Sequence, residues 1–115
     1  MDIFKTLLVT VLTLNAYTAT AAYNQSSQSE VTLVAAYSRS SAPGDILIRL
    51  ANPHVDCVDG YYVQSDSANK DAILSIALAA YHAKTRVLIA GYDEPNWRGS
   101  SSNNTCEIEG IVIVN

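Results

Sequence analysis

The first segment that could do chemistry is HVDCVDG, residues 54 to 60, which places a histidine, two aspartates and a cysteine close together. Such a set could form a metal site, or a nucleophile pair of His54 and Cys57. A zinc site calls for more cysteine or histidine ligands at a regular spacing, and the chain holds two of each. A nucleophile needs a free thiolate, which a disulfide removes. We therefore expect a polar loop with no catalytic and no metal-binding residue, with Asp59-Gly60 as a turn.

The second segment is DEPNWRGSSSNNT, residues 93 to 105, which holds the only tryptophan. Trp97 stands between Asn96 and Arg98, a composition typical of sugar sites. An aromatic face packs on sugar C–H groups, while amide and guanidinium groups bind hydroxyls. The alternative is that Trp97 folds back to cap the core, because tryptophan is largely buried on average. The two adjacent carboxylates that open the segment favour a solvated loop over an acid/base pair.

One amphipathic helix separates two sets of strand-like segments. The stretch Ser67–Ala83, SANKDAILSIALAAYHA, is rich in helix-forming residues and contains no glycine or proline. One helical face is formed by residues at the three-and-four spacing, which predicts that this face covers the core: Ile73, Ala77, Ala80, Tyr81 and Lys84.

Five segments with apolar alternation flank the helix, three before it and two after it: residues 30–37, 45–51, 61–64, 86–92 and 106–114. The polar residues 23 to 29 predict a flexible N-terminal arm. Pro43-Gly44 predicts a turn that joins the first two strands. This order predicts an all-β domain with one helix over residues 30–115, an OB-fold-like five-stranded, partly open barrel. A two-layer α+β sheet is the alternative.

In OB-folds the loops after the first and fourth strands commonly carry the ligand. These loops are residues 38–44 and 93–105 here. The candidate ligand-binding residues are therefore Ser40, Ser41, Asn96, Trp97 and Arg98.

The N-terminal segment from Met1 to about Ala22 is typical of a secretory signal peptide. Its apolar run Leu7–Leu14 is too short to span a membrane, and Ala19-Thr20-Ala21 matches an A-x-A cleavage pattern. An uncleaved anchor is the alternative. We expect a secreted or periplasmic protein in which Cys57 and Cys106 form a disulfide. Closing that loop would stabilise the fold by roughly 4 kcal/mol in the chain-entropy model.

The charge of the chain argues against nucleic acid as a partner. The formal net charge is −4, and no basic stripe exists that could gather phosphates.

Three segments, together with the signal-like start and the β-β-β-α-β-β order, carry a family resemblance. They are NPHVDCVDGYY at Asn52–Tyr62, AAYHAKT at Ala79–Thr85 and PNWRGSSSNNTCEIEGIVI at Pro95–Ile113. The chain resembles the bacterial subtilase cytotoxin B-subunit-like proteins, which are related to the B subunits of AB5 toxins. The resemblance implies an OB-fold whose third and fifth strands are parallel neighbours. Cys57 would precede the third strand, and Cys106 would begin the fifth.

The same resemblance implies a homo-oligomer, a pentamer in the toxins, that binds cell-surface glycans, and it leaves an A-type partner subunit open. No sugar-contacting residue of the family can be matched here, so none is carried over. We therefore predict a non-catalytic exported binding module without a cofactor, with a glycan as its ligand. The alternatives are a structural or protein-interaction protein of the envelope or secretome with no small ligand, and an enzyme that uses the 54–59 loop.

Overall fold

The computed structural model describes residues 22–38 and 41–114. The predicted signal segment up to Ala21 lies outside the described residues, and so does Ser40, one of the candidate binding residues. The elements in chain order are β1 (Tyr23–Gln25), β2 (Val31–Ala36), β3 (Ile46–Leu50), a 3-10 turn (Val55–Cys57), β4 (Gly60–Val63), α1 (Lys70–Ala83), β5 (Val87–Tyr92) and β6 (Thr105–Ile113). The described chain is mostly β with one α-helix, which confirms the predicted class.

The six strands form one mixed sheet in the order β1-β5-β6-β4-β3-β2, and this sheet does not close into a barrel. All neighbouring strands are antiparallel except β4 and β6, which run parallel. These two are the third and fifth predicted strands, so the parallel neighbours that the resemblance implied are confirmed. This agreement concerns the architecture and does not identify a family.

The segment 23 to 29, expected as an unpaired arm, contributes a sixth strand that the residue pattern did not predict. β1 pairs with the second half of β5 along its whole length, and Ser29 then bridges Val87. The chain next enters β2, which pairs with β3 at the other edge of the sheet. The two edge strands are therefore consecutive in the chain. Backbone pairing organises this short polar segment, which is why hydrophobic alternation gives no sign of it.

The main core lies between the inner face of the sheet and α1. Ile73, Ala77 and Ala80 are the buried residues of the helix, which confirms this part of the predicted face. Tyr81 and Lys84, predicted on the same face, are exposed because they lie at the end of the helix.

The helix begins at Lys70, three residues later than predicted, and Asn69 at its N-cap makes no side-chain capping bond. Lys84 ends it in the left-handed conformation, with φ of 56°. No helix among the described residues is long and apolar enough to cross a membrane.

A second, smaller core lies on the opposite face of β3 and β4. Leu47 from β3 and Tyr62 from β4 are buried there together with Ala42 and Trp97. The alternation of each strand places these side chains away from the main core. The loop that carries Trp97 is thereby attached to the middle of the sheet.

Candidate functional site

Trp97 is buried in the second core. Its side chain is 5% exposed, and its ring stacks on Tyr62 with the centroids 6.3 Å apart. Tyr37 covers it from a tilted angle at 5.3 Å. Gly99 passes so close that a Cβ atom at this position would lie 2.5 Å from the indole. Trp97 thus packs as the alternative interpretation proposed, as a cap of the core, and its ring is covered rather than open to a ligand.

A buried carboxylate, that of Asp45, fixes the position of the Trp97 side chain through a hydrogen bond. Asp45 is 0% exposed and accepts hydrogen bonds from Trp97 Nε1 at 2.9 Å and from the backbone N–H of Ser65 at 2.9 Å. Arg98 binds it with two nitrogens, Nε at 3.1 Å and Nη2 at 2.8 Å. Burial alone would raise the pKa of Asp45, but the bonds from Arg98, Trp97 and Ser65 outweigh it and lower the pKa. The ionised carboxylate therefore holds the loop in place.

Two more of the candidate residues, Ser41 and Arg98, also belong to this cluster. Ser41 Oγ donates to the carbonyl of Arg98 at 2.8 Å, so the two loops are neighbours, as expected. The turn before Asp45 forms as predicted, with φ of 81° at Gly44 and a bond from Asp45 N to the carbonyl of Ala42. The half-exposed guanidinium of Arg98 is occupied by Asp45. Ser41, Trp97 and Arg98 come together around a carboxylate, with contacts that stabilise the fold.

A polar cleft of about 350 Å³ lies between the 93–105 loop and the 54–60 loop. Amide and carboxylate side chains dominate its lining, which consists of Asp56, Asp93, Glu94, Pro95, Asn96, Asn103 and Asn104. Carboxylate oxygens accept hydrogen bonds, and amides both donate and accept them. Among the predicted site residues, Asn96 lines this cleft. The remaining lining residues were predicted only as polar loop.

The disulfide holds the two walls of the cleft together. Cys57 and Cys106 are bonded, with their Cα atoms 5.3 Å apart, which confirms the predicted pair. Asp59 N donates to the carbonyl of Asn104 at 3.0 Å, and the Asp59 side chain accepts a hydrogen bond from Ser102. The walls are therefore joined covalently and by hydrogen bonds. Such a cleft keeps its shape before a ligand arrives.

Contacts from Ala22, the residue before β1, and from β4 fix the first half of the 93–105 loop. Ala22 N donates to Asp93 Oδ1 at 2.7 Å, and Asp93 N donates to the carbonyl of Ala22 at 3.2 Å. The hydroxyl of Tyr62 donates to the carbonyl of Pro95 at 2.5 Å, and burial together with Glu107 raises the pKa of Tyr62.

The side chain of Asn96 is held inside the 93–105 loop. Its Nδ2 donates to the carbonyl of Ser102. Its Oδ1 is buried and has no hydrogen-bond partner in the part of the chain that the structure describes. The orientation of the Asn96 side chain at the edge of the cleft is therefore fixed by the hydrogen bond of its Nδ2 alone.

The 54–60 loop is arranged as a structural turn. His54 Nδ1 accepts the backbone N–H of Asp56 at 3.1 Å and so caps the 3-10 turn. His54 also lies 3.6 Å from the Asp56 carboxylate. Cys57 carries no thiolate because it is bonded to Cys106. Within residues 22–38 and 41–114, no group of three or more histidine, cysteine, aspartate or glutamate side chains is placed to hold a metal ion.

A second concavity, of about 320 Å³, runs along the outer face of β1, β5 and β6. Its most exposed apolar side chains are Tyr23, at 56%, and Val112, at 59%. The register of β5 and β6 shifts between Ala90 and Gly91, so Glu109 and Gly110 follow each other on the outside. The exposed tyrosine could not be inferred from the sequence, because β1 itself was not predicted.

Comparisons with known proteins add no relative to this description. No protein-family model matches the chain, and no curated protein matches it either. The likeness to toxin B subunits thus remains an expectation from the sequence, and the cleft is the feature from which a function can be argued.

Proposed function

We propose that this protein is a non-catalytic, exported binding module whose ligand occupies the polar cleft between the 54–60 and 93–105 loops. The observation that carries the proposal is the lining of a preformed concavity by amides and carboxylates. Polar groups that converge in a concave site and are held in place before binding are the usual features of a ligand site.

The chemistry of the lining favours a polyhydroxylated ligand. Sugar hydroxyls donate to carboxylates and both donate to and accept from amides, so Asp93, Asn103 and Asn104 can each bind one. The lining contains three carboxylates and no basic residue. An anionic glycan would meet like charges there. The expected ligand is therefore a neutral or amine-bearing glycan rather than a sialylated or sulfated one.

A glycan array followed by titration tests this proposal. Asn103→Ala combined with Asn104→Ala removes two amides from the cleft and should weaken binding by about tenfold or more, given about 0.5–1.5 kcal/mol per hydrogen bond. Asn69→Ala is the matched control, because Asn69 is exposed and its side chain makes no capping bond. Full binding by the double variant would place the ligand elsewhere. A wild-type protein that binds no glycan would remove this ligand class.

The second candidate is a protein-contact function through the outer face of β1, β5 and β6. The observation in its favour is the exposure of Tyr23 on β1 and Val112 on β6, which line one concavity on the two sides of β5. Exposed apolar surface of this kind often marks an interface. Sedimentation of the wild type and of Val112→Glu tests self-association through this face. A concentration-dependent oligomer that the substitution dissociates supports it. A monomer at every concentration contradicts it.

A further inference from the structure

The backbone nitrogen of Ala22 occupies an unusual position. It donates to the Asp93 carboxylate at 2.7 Å, and the carbonyl of Ala22 accepts the Asp93 N–H at 3.2 Å. The next residue, Tyr23, begins β1 and pairs with Tyr92, directly before Asp93. Ala22 is therefore held in register beside the end of β5.

The sequence places an export cleavage site at the same nitrogen. Ala19-Thr20-Ala21 follows an apolar run and matches the pattern after which export peptidases cut. That pattern puts the cut between Ala21 and Ala22. The cleavage pattern in the sequence and the hydrogen bond in the structure thus both involve the backbone nitrogen of Ala22.

We propose that an export peptidase hydrolyses the Ala21–Ala22 peptide bond, and that the new α-ammonium group of Ala22 forms an ion pair with Asp93. One water molecule is consumed as the C–N bond between Ala21 and Ala22 breaks. Its oxygen stays on the carbonyl carbon of Ala21 as a carboxylate, and both of its protons go to the nitrogen of Ala22, which already carries one hydrogen and so becomes an ammonium. With an ordinary α-amino pKa of about 8, that nitrogen is an ammonium at neutral pH. A neutral donor thereby becomes a charged one, which strengthens its bond to a carboxylate.

The ion pair matters because of where Asp93 lies. Asp93 lines the cleft together with Glu94 and Asp56, so three carboxylates share this concavity. The ammonium group brings a compensating positive charge to its edge and ties β1 to the end of β5. Cleavage between Ala21 and Ala22 therefore completes the contacts at this edge of the sheet. In the uncleaved chain, the neutral backbone N–H of Ala22 makes the hydrogen bond to Asp93.

The first experiment determines the cleavage site. The full chain is expressed in an exporting bacterial host, and the intact mass and N-terminal residue of the exported product are measured. The expected product begins at Ala22. A product that begins at another residue, or that keeps the signal segment, would overturn the proposal.

The second experiment isolates the charge in the processed protein. Thermal unfolding is compared for chains that begin at Ala22 with a free or an acetylated terminus, each with Asp93 or with Asp93→Asn. Acetylation and the asparagine both keep a neutral hydrogen bond possible, so the fold should survive in every combination. Acetylation should lower Tm by roughly 2–5 °C with Asp93, as expected for a partly exposed ion pair in a small domain, and by less with Asp93→Asn.

Glu94→Gln is the matched control, since it neutralises the adjacent carboxylate and should leave the effect of acetylation unchanged. Equal effects of acetylation with Asp93 and Asp93→Asn would overturn the ion pair. Neither experiment uses a glycan, so its outcome is independent of the proposed ligand.

Discussion

At the scale of single residues, the buried carboxylate of Asp45 joins parts of the chain that are distant in sequence. This carboxylate lies within the fold and is satisfied by donors from three directions: an indole, a guanidinium and a backbone N–H. A buried charge is tolerated when it is paired and hydrogen-bonded in this way. Because two segments converge on Asp45, the 93–105 loop and the turn at Ser65, its loss leaves several donors without a partner at once.

We expect Asp45→Asn to destabilise the protein most at neutral pH and less in acid. The folded-state pKa of Asp45 is lowered, so its stabilising contribution is present above the unfolded pKa of about 3.9. It is lost as the pH falls through the lower folded pKa. Urea unfolding at pH 6 and pH 3 should therefore show a difference between wild type and Asp45→Asn that shrinks in acid.

The control for Asp45 is the exposed Asp66, whose replacement by asparagine should change the free energy of unfolding by no more than about 0.5 kcal/mol. A difference between wild type and Asp45→Asn that stays constant over this pH range would contradict the role given to its charge.

Trp97→Ala should lower the free energy of unfolding by about 3–5 kcal/mol, because it empties the centre of the second core. Trp97→Phe keeps a ring but leaves Asp45 without its indole donor, and should cost about 1–3 kcal/mol. Tyr81→Ala is the control, since Tyr81 is an exposed aromatic residue on the helix. If Trp97→Ala were as stable as Tyr81→Ala, the indole would not be part of the core. Urea unfolding followed by circular dichroism measures all three.

At the scale of elements, regular patterns were predictable and the edge of the sheet was not. The helix face and all five longer strands follow from apolar spacing, since burial of one face imposes that spacing. β1 has three residues, too few for a recognisable alternation, and backbone bonds to β5 hold it. Its one inward side chain, Asn24, is polar and lies against the disulfide, with Nδ2 3.9 Å from Cys106 Sγ. A polar residue such as Asn24 favours a loop when the sequence alone is considered, because its contact with the disulfide is not visible there.

Ser26→Ala should reveal how much the segment after β1 contributes. Ser26 Oγ accepts the backbone N–H of Ile89 at 3.0 Å, and its own N–H donates to the carbonyl of Ile89 at 2.9 Å. Alanine keeps the second bond and leaves a buried N–H unsatisfied, which costs about 1–3 kcal/mol. Ser27→Ala is the matched control, because Ser27 is exposed. Equal unfolding free energies for the two variants would show that this part of the chain adds little stability.

At the scale of the whole molecule, the site depends on contacts between distant parts of the chain. Of the two loops expected to carry the ligand, the 93–105 loop lines the cleft and the 38–44 loop does not. The residue pattern placed the candidate site around Trp97, which is buried. Trp97 and Asp45 are 52 residues apart, and nothing local in DEPNWRG indicates that a carboxylate will bind the indole. The cleft has the same origin, since its walls come from two loops that the disulfide joins. The amides of the 93–105 loop and the carboxylate of Asp56 form one site only once the two loops are brought together.

The disulfide should therefore affect both stability and binding. Cys57→Ala with Cys106→Ala removes a cross-link between residues 49 apart in the chain, and should lower the free energy of unfolding by about 2–5 kcal/mol. Below the unfolding transition, we expect the double variant to stay folded around its main core but to bind the cleft ligand more weakly, because the two walls are no longer held at a fixed distance. Urea unfolding and calorimetric titration measure the two effects separately. A variant that loses stability and keeps full affinity would show that hydrogen bonds such as the one from Asp59 N to the carbonyl of Asn104 shape the cleft without the covalent link.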